Sequence, residues 1–224
     1  TLQTRKGVYR WKTIQADSAG WLKDRSFRNN YAYVAIESNR EKVMILEGLG
    51  HRMVYVNGEP RIGNQYQHQD KAPSWRPQYG YSLMPVKLKK GKNHLLIRCT
   101  RGRIKINLKP MRSAVMLNTA DPTFPDFLTG EPINNKAAVI IVNGTHKPQN
   151  NLAIKSTGKK LQTTVTEMPT IPPMTIRKVP FNVKGQTPEK TGNKEVSLSL
   201  MANRRVIDTS TVRFSIKNPD QPYK

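Results

Sequence analysis

The sequence predicts an all-β protein folded as two β-sandwich domains. Three observations carry that reading. Apolar residues alternate with polar ones or run in short β-branched stretches, and the 3.6-residue period of an amphipathic helix is almost absent. The stretches are bounded by Gly, Pro and Asn, with 14 Gly and 16 Pro in 224 residues. Turn signals recur at the spacing of a sandwich or barrel, and no internal repeat relates the two halves, so two unlike domains are expected.

The strands follow in order. Residues 8–13 alternate Val8, Arg10, Lys12 against Tyr9, Trp11, Thr13 and predict a first strand. Residues 32–36 and 43–49 predict the next two. Residues 52–56 end in Asn57-Gly58, whose residues both tolerate positive φ and so predict a tight hairpin returning through residues 61–63. Residues 63–82 have no period and hold Gln, Asn, Asp, Pro, three Tyr and one Trp, which predicts a long loop. Strands resume at 86–88 and, after a turn at Gly91, at 94–100. In residues 104–108, Ile104, Ile106 and Leu108 oppose Arg103, Lys105, Asn107 and Lys109. Pro110, Pro122, Pro125 and Pro132 then predict a linker over 113–135, between domains at 1–112 and 136–224. The run Ala137-Ala138-Val139-Ile140-Ile141-Val142 predicts a strand buried on both faces. Further strands are expected at 152–154, 163–165, 174–183, 196–200 and 212–216, the last two joined by a turn at Asn203-Arg204.

Val54-Tyr55-Val56-Asn57-Gly58 followed by residues 85–97, Pro-Val-Lys-Leu-Lys-Lys-Gly-Lys-Asn-His-Leu-Leu-Ile, resembles the galactose-binding-like jelly-roll modules attached to bacterial glycoside hydrolases and other extracytoplasmic hydrolases. The resemblance covers residues 7–110. Residues 121–131 and 138–143 are similar to the N-terminal regions of large secreted hydrolases, the prolyl-oligopeptidase-like serine hydrolases among them. The resemblance implies a jelly-roll-like domain, then an immunoglobulin- or fibronectin-like one that lacks the tryptophan and cysteine hallmarks. It implies a periplasmic or extracellular place, and an α/β catalytic half not contained in these 224 residues. The opening at Thr1, with no signal-peptide core, fits a processed or excised piece.

No 18-residue apolar run is present, so no membrane-spanning helix is expected. Catalytic motifs fail one by one. Gly80-Tyr81-Ser82 is followed by Leu83-Met84 and makes no nucleophile elbow. Ser156-Thr157-Gly158-Lys159 and Lys190-Thr191-Gly192 imitate penicillin-recognising motifs, but that chemistry needs Ser and Lys one helical turn apart, and Gly158 lies in a strand-to-strand turn. His51, His68, His94 and His146 have no metal-ligand spacing, and neither a metal nor a cofactor is expected. Cys99, in an apolar strand, predicts a buried structural thiol. Asn143-Gly144-Thr145 is a glycosylation sequon, relevant only in a eukaryotic secretory pathway.

Two candidate surfaces emerge. Tyr66, His68, Trp75, Arg76, Tyr79 and Tyr81 put rings, an imidazole and a guanidinium in the 63–82 loop, a composition suited to stacking on a sugar, to docking on a protein or to packing on its own domain. The second is charge. Residues 1–112 carry 23 Lys/Arg against 7 Asp/Glu, and residues 113–224 carry 15 against 8, for a net +23. Nine bases and no acid lie between Lys87 and Lys109, and Arg98, Arg101, Arg103 and Lys105 could share a basic face. They form no recognisable nucleic-acid reader. The expected function is a non-catalytic accessory region of a larger extracytoplasmic hydrolase. Its partners would be the catalytic domain of the same polypeptide or a neighbouring subunit, and a glycan. The alternatives are a stand-alone carbohydrate- or polyanion-binding module and a basic nucleic-acid-binding protein.

Overall fold

A computed structural model describes residues 2–5, 7–65 and 80–220. The protein is all-β, and its one helical element among the described residues is a 3-10 turn at Arg25–Phe27. The first strands are β1 (Leu2–Thr4), β2 (Gly7–Tyr9), β3 (Leu22–Lys23), β4 (Tyr31–Ser38), β5 (Lys42–Leu49), β6 (His51–Val56) and β7 (Glu59–Ile62). Then come β8 (Met84–Leu88), β9 (Gly91–Cys99), β10 (Arg103–Pro110), β11 (Val115–Thr123), β12 (Phe127–Leu128) and β13 (Ile133–Asn143). The last are β14 (Leu152–Thr157), β15 (Leu161–Gln162), β16 (Thr164–Glu167), β17 (Thr175–Gly185), β18 (Gly192–Ala202) and β19 (Arg205–Lys217).

Two compact units divide the chain. One holds Thr1–Arg40, Glu47–Ser82 and Lys89–Leu108; the other holds Glu41–Leu46, Leu83–Leu88 and Lys109–Lys224. Strand β5 passes from one to the other between Leu46 and Glu47. Residues 113–135 hold β11 and β12 as well as the start of β13. The prolines there do not exclude strand: Val115, Met116 and Leu117 are three successive buried residues that pair with β13. The first expected strand is shorter than its alternation suggested: β2 ends at Tyr9, and residues 10–20 carry no strand.

In the first unit, β4, β9, β6 and β7 form an antiparallel sheet in that order. Its inner face is Ala32 on β4, Leu95, Ile97 and Cys99 on β9, and Val54 and Val56 on β6, all buried. The Asn57-Gly58 turn has φ of 52° and 91°, the left-handed pair a two-residue hairpin needs. The two motif hairpins are tied by two asparagines. Asn57 Nδ2 donates to Asn93 Oδ1 at 2.8 Å, and His94 N donates to Asn57 Oδ1 at 2.9 Å. Asn93 is fully buried and uses every hydrogen-bonding group it has: Lys89 N also donates to its Oδ1, and its Nδ2 donates to the carbonyls of Lys89 and Gly91.

The second unit is a two-layer sandwich. One sheet is β11-β13-β17-β15 and the other β12-β19-β18-β14-β16, antiparallel except where β12 runs parallel to β19. Val139 and Ile141 from β13 and Val179, Phe181 and Val183 from β17 meet Leu152, Ile154, Val196, Leu198, Leu200, Val212 and Phe214 in one core. The alternate residues of β13, Ile140 and Val142, join Ile45 and Met116 in a second cluster. The β13 run is thus buried on both faces, as its unbroken apolarity predicts. Asp208 on β19 accepts from Arg112 Nε (3.0 Å) and from Leu117 N (2.7 Å), joining β11 to β19, and its carboxylate raises the Arg112 pKa.

Candidate functional site

Of the predicted loop residues, Tyr66, His68, Trp75, Arg76 and Tyr79 lie outside the described residues, and Tyr81 is half-buried. The basic residues are not gathered on one sheet. Arg98 projects outward from β9 in the β4-β9-β6-β7 sheet, whereas Arg103 and Lys105 are on β10, which pairs with β3. Arg101 lies exposed in the turn between them. The Arg103 guanidinium stacks 4.9 Å above the ring of Trp21, a cation–π contact that commits it to packing.

The structure shows instead a face that the sequence reading left unmarked. On the β4-β9-β6-β7 sheet, register sets Tyr31, Arg98, Met53 and Ile62 in one outward row and Tyr33, Leu96, Tyr55 and Pro60 in the next. Ala35 and His94 follow, then Glu37 opposite Lys92. Several of these stay in water: Tyr31 is 42% exposed, Tyr33 46% and Ile62 68%. Trp11, 56% exposed, comes from the strandless segment and sits 6.1 Å from the Tyr33 ring. Tyr33 stacks on His94 at 5.9 Å, and its hydroxyl bonds His94 Nδ1 at 2.6 Å. Three rings therefore stand in series on an exposed sheet.

The segment that delivers Trp11 is fastened at both ends. Lys12 Nζ meets Asp24 at 2.7 Å, and Asp17 holds Lys23 Nζ at 2.6 Å. Asp17 also accepts from Trp21 N and Ala19 N, and Asp24 caps the 3-10 turn through Ser26 N. The Lys12 ammonium and the Ser26 amide hold the Asp24 carboxyl well below the usual carboxylate range, and Lys23 and the Trp21 amide lower Asp17. The signal for this face was legible as Tyr31-Ala32-Tyr33, where alternation puts both tyrosines opposite the buried Ala32. Trp11 carried no such signal, because its partner is a strand twenty residues on.

The remaining reactive groups are structural. Cys99 is 1% exposed, and burial raises its thiol to about 11, as expected of a core thiol. His51 is also 1% exposed, and neither ring nitrogen has a well-formed hydrogen bond. Burial lowers it to about 4, against a small opposing pull from the Leu49 carbonyl. Glycines make room for its ring: a Cβ on Gly48 or on Gly63 would come within 2.8 Å of the imidazole. Asn143 of the sequon is fully buried, and its Nδ2 donates to the carbonyls of Lys147, Ile171 and Pro172. That amide is a loop anchor and is not presented to an enzyme. Among the described residues no group of three His, Cys, Asp or Glu could hold a metal, and no helix is long and apolar enough to cross a membrane.

No protein-family model and no curated protein matches the chain. Solved structures similar to it include a GH2 beta-galacturonidase from Eisenbergiella tayi (13% identity, TM-score 0.49, covering 94% of this chain and 40% of that one). A beta-D-mannosidase from Dictyoglomus thermophilum is similar at 15% identity and TM-score 0.39, covering 83% of this chain and 29% of that one. A red sea bream transglutaminase is similar at 11% identity and TM-score 0.36, covering 93% and 32%. The chain thus spans between 29% and 40% of the length of these three proteins.

Proposed function

We propose that this chain is a non-catalytic accessory region of a larger, extracytoplasmic, carbohydrate-acting hydrolase, and that it holds substrate for a catalytic domain in the same polypeptide or a neighbouring subunit. The observation that carries the reading is the ring series Trp11–Tyr33–His94 on the outward face of the β4-β9-β6-β7 sheet. Rings kept in water on a rigid sheet are a binding surface, because exposed apolar area of this kind costs stability unless a ligand covers it. The Asn57–Asn93 tie gives the motif that carried the family resemblance a physical role in the same sheet.

The test is deletion. Removing residues 1–224 from the polypeptide that carries them is expected to raise KM on a polymeric substrate several-fold and to leave turnover of a short one unchanged. Equal loss on both substrates would place this region in the catalytic machinery. Hydrolysis by the isolated chain would sink the reading outright.

A further inference from the structure

We propose that the outward face of the β4-β9-β6-β7 sheet binds an acidic saccharide, a chain containing uronate sugars. This deepens the substrate-holding role proposed above and rests on it. Trp11 and Tyr33 stack on pyranose faces, whose apolar C–H groups are complementary to the negative face of an aromatic ring. Arg98 pairs with a carboxylate, for which its planar fork of donors is suited.

Three observations select this occupant. The first is the chemistry of the exposed groups. Tyr31, Tyr33, Tyr55, His94 and Trp11 all have polar rims, so the face offers ring surface and hydrogen-bonding groups together, as a polyhydroxylated ligand requires. The second is preorganisation. The Tyr33 hydroxyl is bonded to His94 Nδ1 at 2.6 Å, His94 N to Asn57 Oδ1 at 2.9 Å, and Lys12, next to Trp11, to Asp24 at 2.7 Å. The rings are set before the ligand arrives, which lowers the ordering cost that limits weak ligands. The third is charge complementarity. Arg98 stands outward beside Tyr31, and Glu37 on the same face is matched by Lys92 across the strands. The face is left positive in a half-chain of 23 bases against 7 acids, so it attracts an anion and repels a cationic ligand.

The test is affinity electrophoresis and titration calorimetry of the intact chain with polygalacturonate, with neutral galactan as comparator, at physiological salt. The native chain is expected to be retarded by polygalacturonate and to bind galactan more weakly. Trp11→Ala and Tyr33→Ala each leave the charge unchanged and are expected to weaken polygalacturonate binding about tenfold, one stacked ring being worth about that factor. Arg98→Gln is expected to remove the preference over galactan. Arg213→Gln, which deletes an equal charge on β19, is expected to change nothing. Trp11 lies in a strandless segment and is 56% exposed, so its replacement leaves the core intact. Absence of binding to either polymer overturns the proposal. So does binding that ignores Trp11→Ala, or that Arg213→Gln weakens as much as Arg98→Gln, since both mark non-specific charge. Self-association abolished by Trp11→Ala also overturns it, by making the face a contact between copies. Failure here with a positive deletion result above removes the saccharide and leaves the accessory role standing.

Discussion

Replacing Asn93 with alanine tests the tie that holds the two motif hairpins together. Asn93 makes four hydrogen bonds between 2.8 and 2.9 Å, and its side chain is fully buried. Each neutral hydrogen bond contributes about 1 kcal/mol net, so the four set an upper figure of about 4 kcal/mol. Water reaching the exposed turn residues Lys89 and Lys90 re-solvates part of what is lost, which brings the expected cost of Asn93→Ala to about 2–4 kcal/mol. The reporter is built in. With Trp75 replaced by phenylalanine, the remaining Trp11 and Trp21 both belong to the first unit, so tryptophan fluorescence during urea unfolding follows that unit alone. With a urea slope of roughly 1–2 kcal/mol per molar, the midpoint is expected to fall by roughly 1–3 M. Asn57→Ala removes two of the bonds, one of them shared, so the double variant is expected to cost less than the sum of the singles. A loss below about 1 kcal/mol for Asn93→Ala, or strict additivity with Asn57→Ala, would refute the claim that these asparagines act as one tie.

Three further outcomes are expected. His51 is lowered to about 4 from 6.5, so between those values the unfolded chain binds a proton that the folded one does not. First-unit stability is therefore flat above pH 6.5 and falls by on the order of 3 kcal/mol as pH drops toward 4; disappearance of that slope in His51→Met, read by denaturation across pH, checks it. Cys99, buried with a raised thiol pKa, is expected to resist a thiol reagent at neutral pH until the unit unfolds, and reaction of the native protein within minutes would contradict its placement. Arg204 holds φ 66° in the β18–β19 turn, so Arg204→Gly is expected to stabilise the second unit by about 1 kcal/mol, seen as a higher melting temperature by circular dichroism.

Strand identity was legible wherever polar and apolar residues alternate, as in Val196-Ser197-Leu198-Ser199-Leu200, because a half-buried strand has a period of two. The β13 run was legible for the opposite reason, since a strand covered on both faces has no polar side. Strand β11 was not, because Pro122 and Pro125 are louder than the three apolar residues before them, and proline tolerates strand ends. The candidate site was read mainly in the 63–82 loop and the basic run. Composition identifies which groups are able to bind, but only pairing register says which of them share a face. Arg98 and Arg103 are five residues apart and belong to different sheets, whereas Tyr33 and His94 are sixty-one residues apart and share a hydrogen bond.

The asparagine tie also bears on how the chain avoids a wrong structure. A slip of β9 by one residue against β6 would invert β9 in the sheet, turning Leu95 and Ile97 toward solvent and driving Leu96 and Arg98 inward. An apolar row exposed in this way is a surface that another chain can cover. Neither Asn57 Nδ2 to Asn93 Oδ1 nor His94 N to Asn57 Oδ1 is reachable in the slipped pairing. The two asparagines are thus expected to favour the native register over the slipped one, and a lower soluble yield on refolding of the Asn57→Ala, Asn93→Ala double variant would show it.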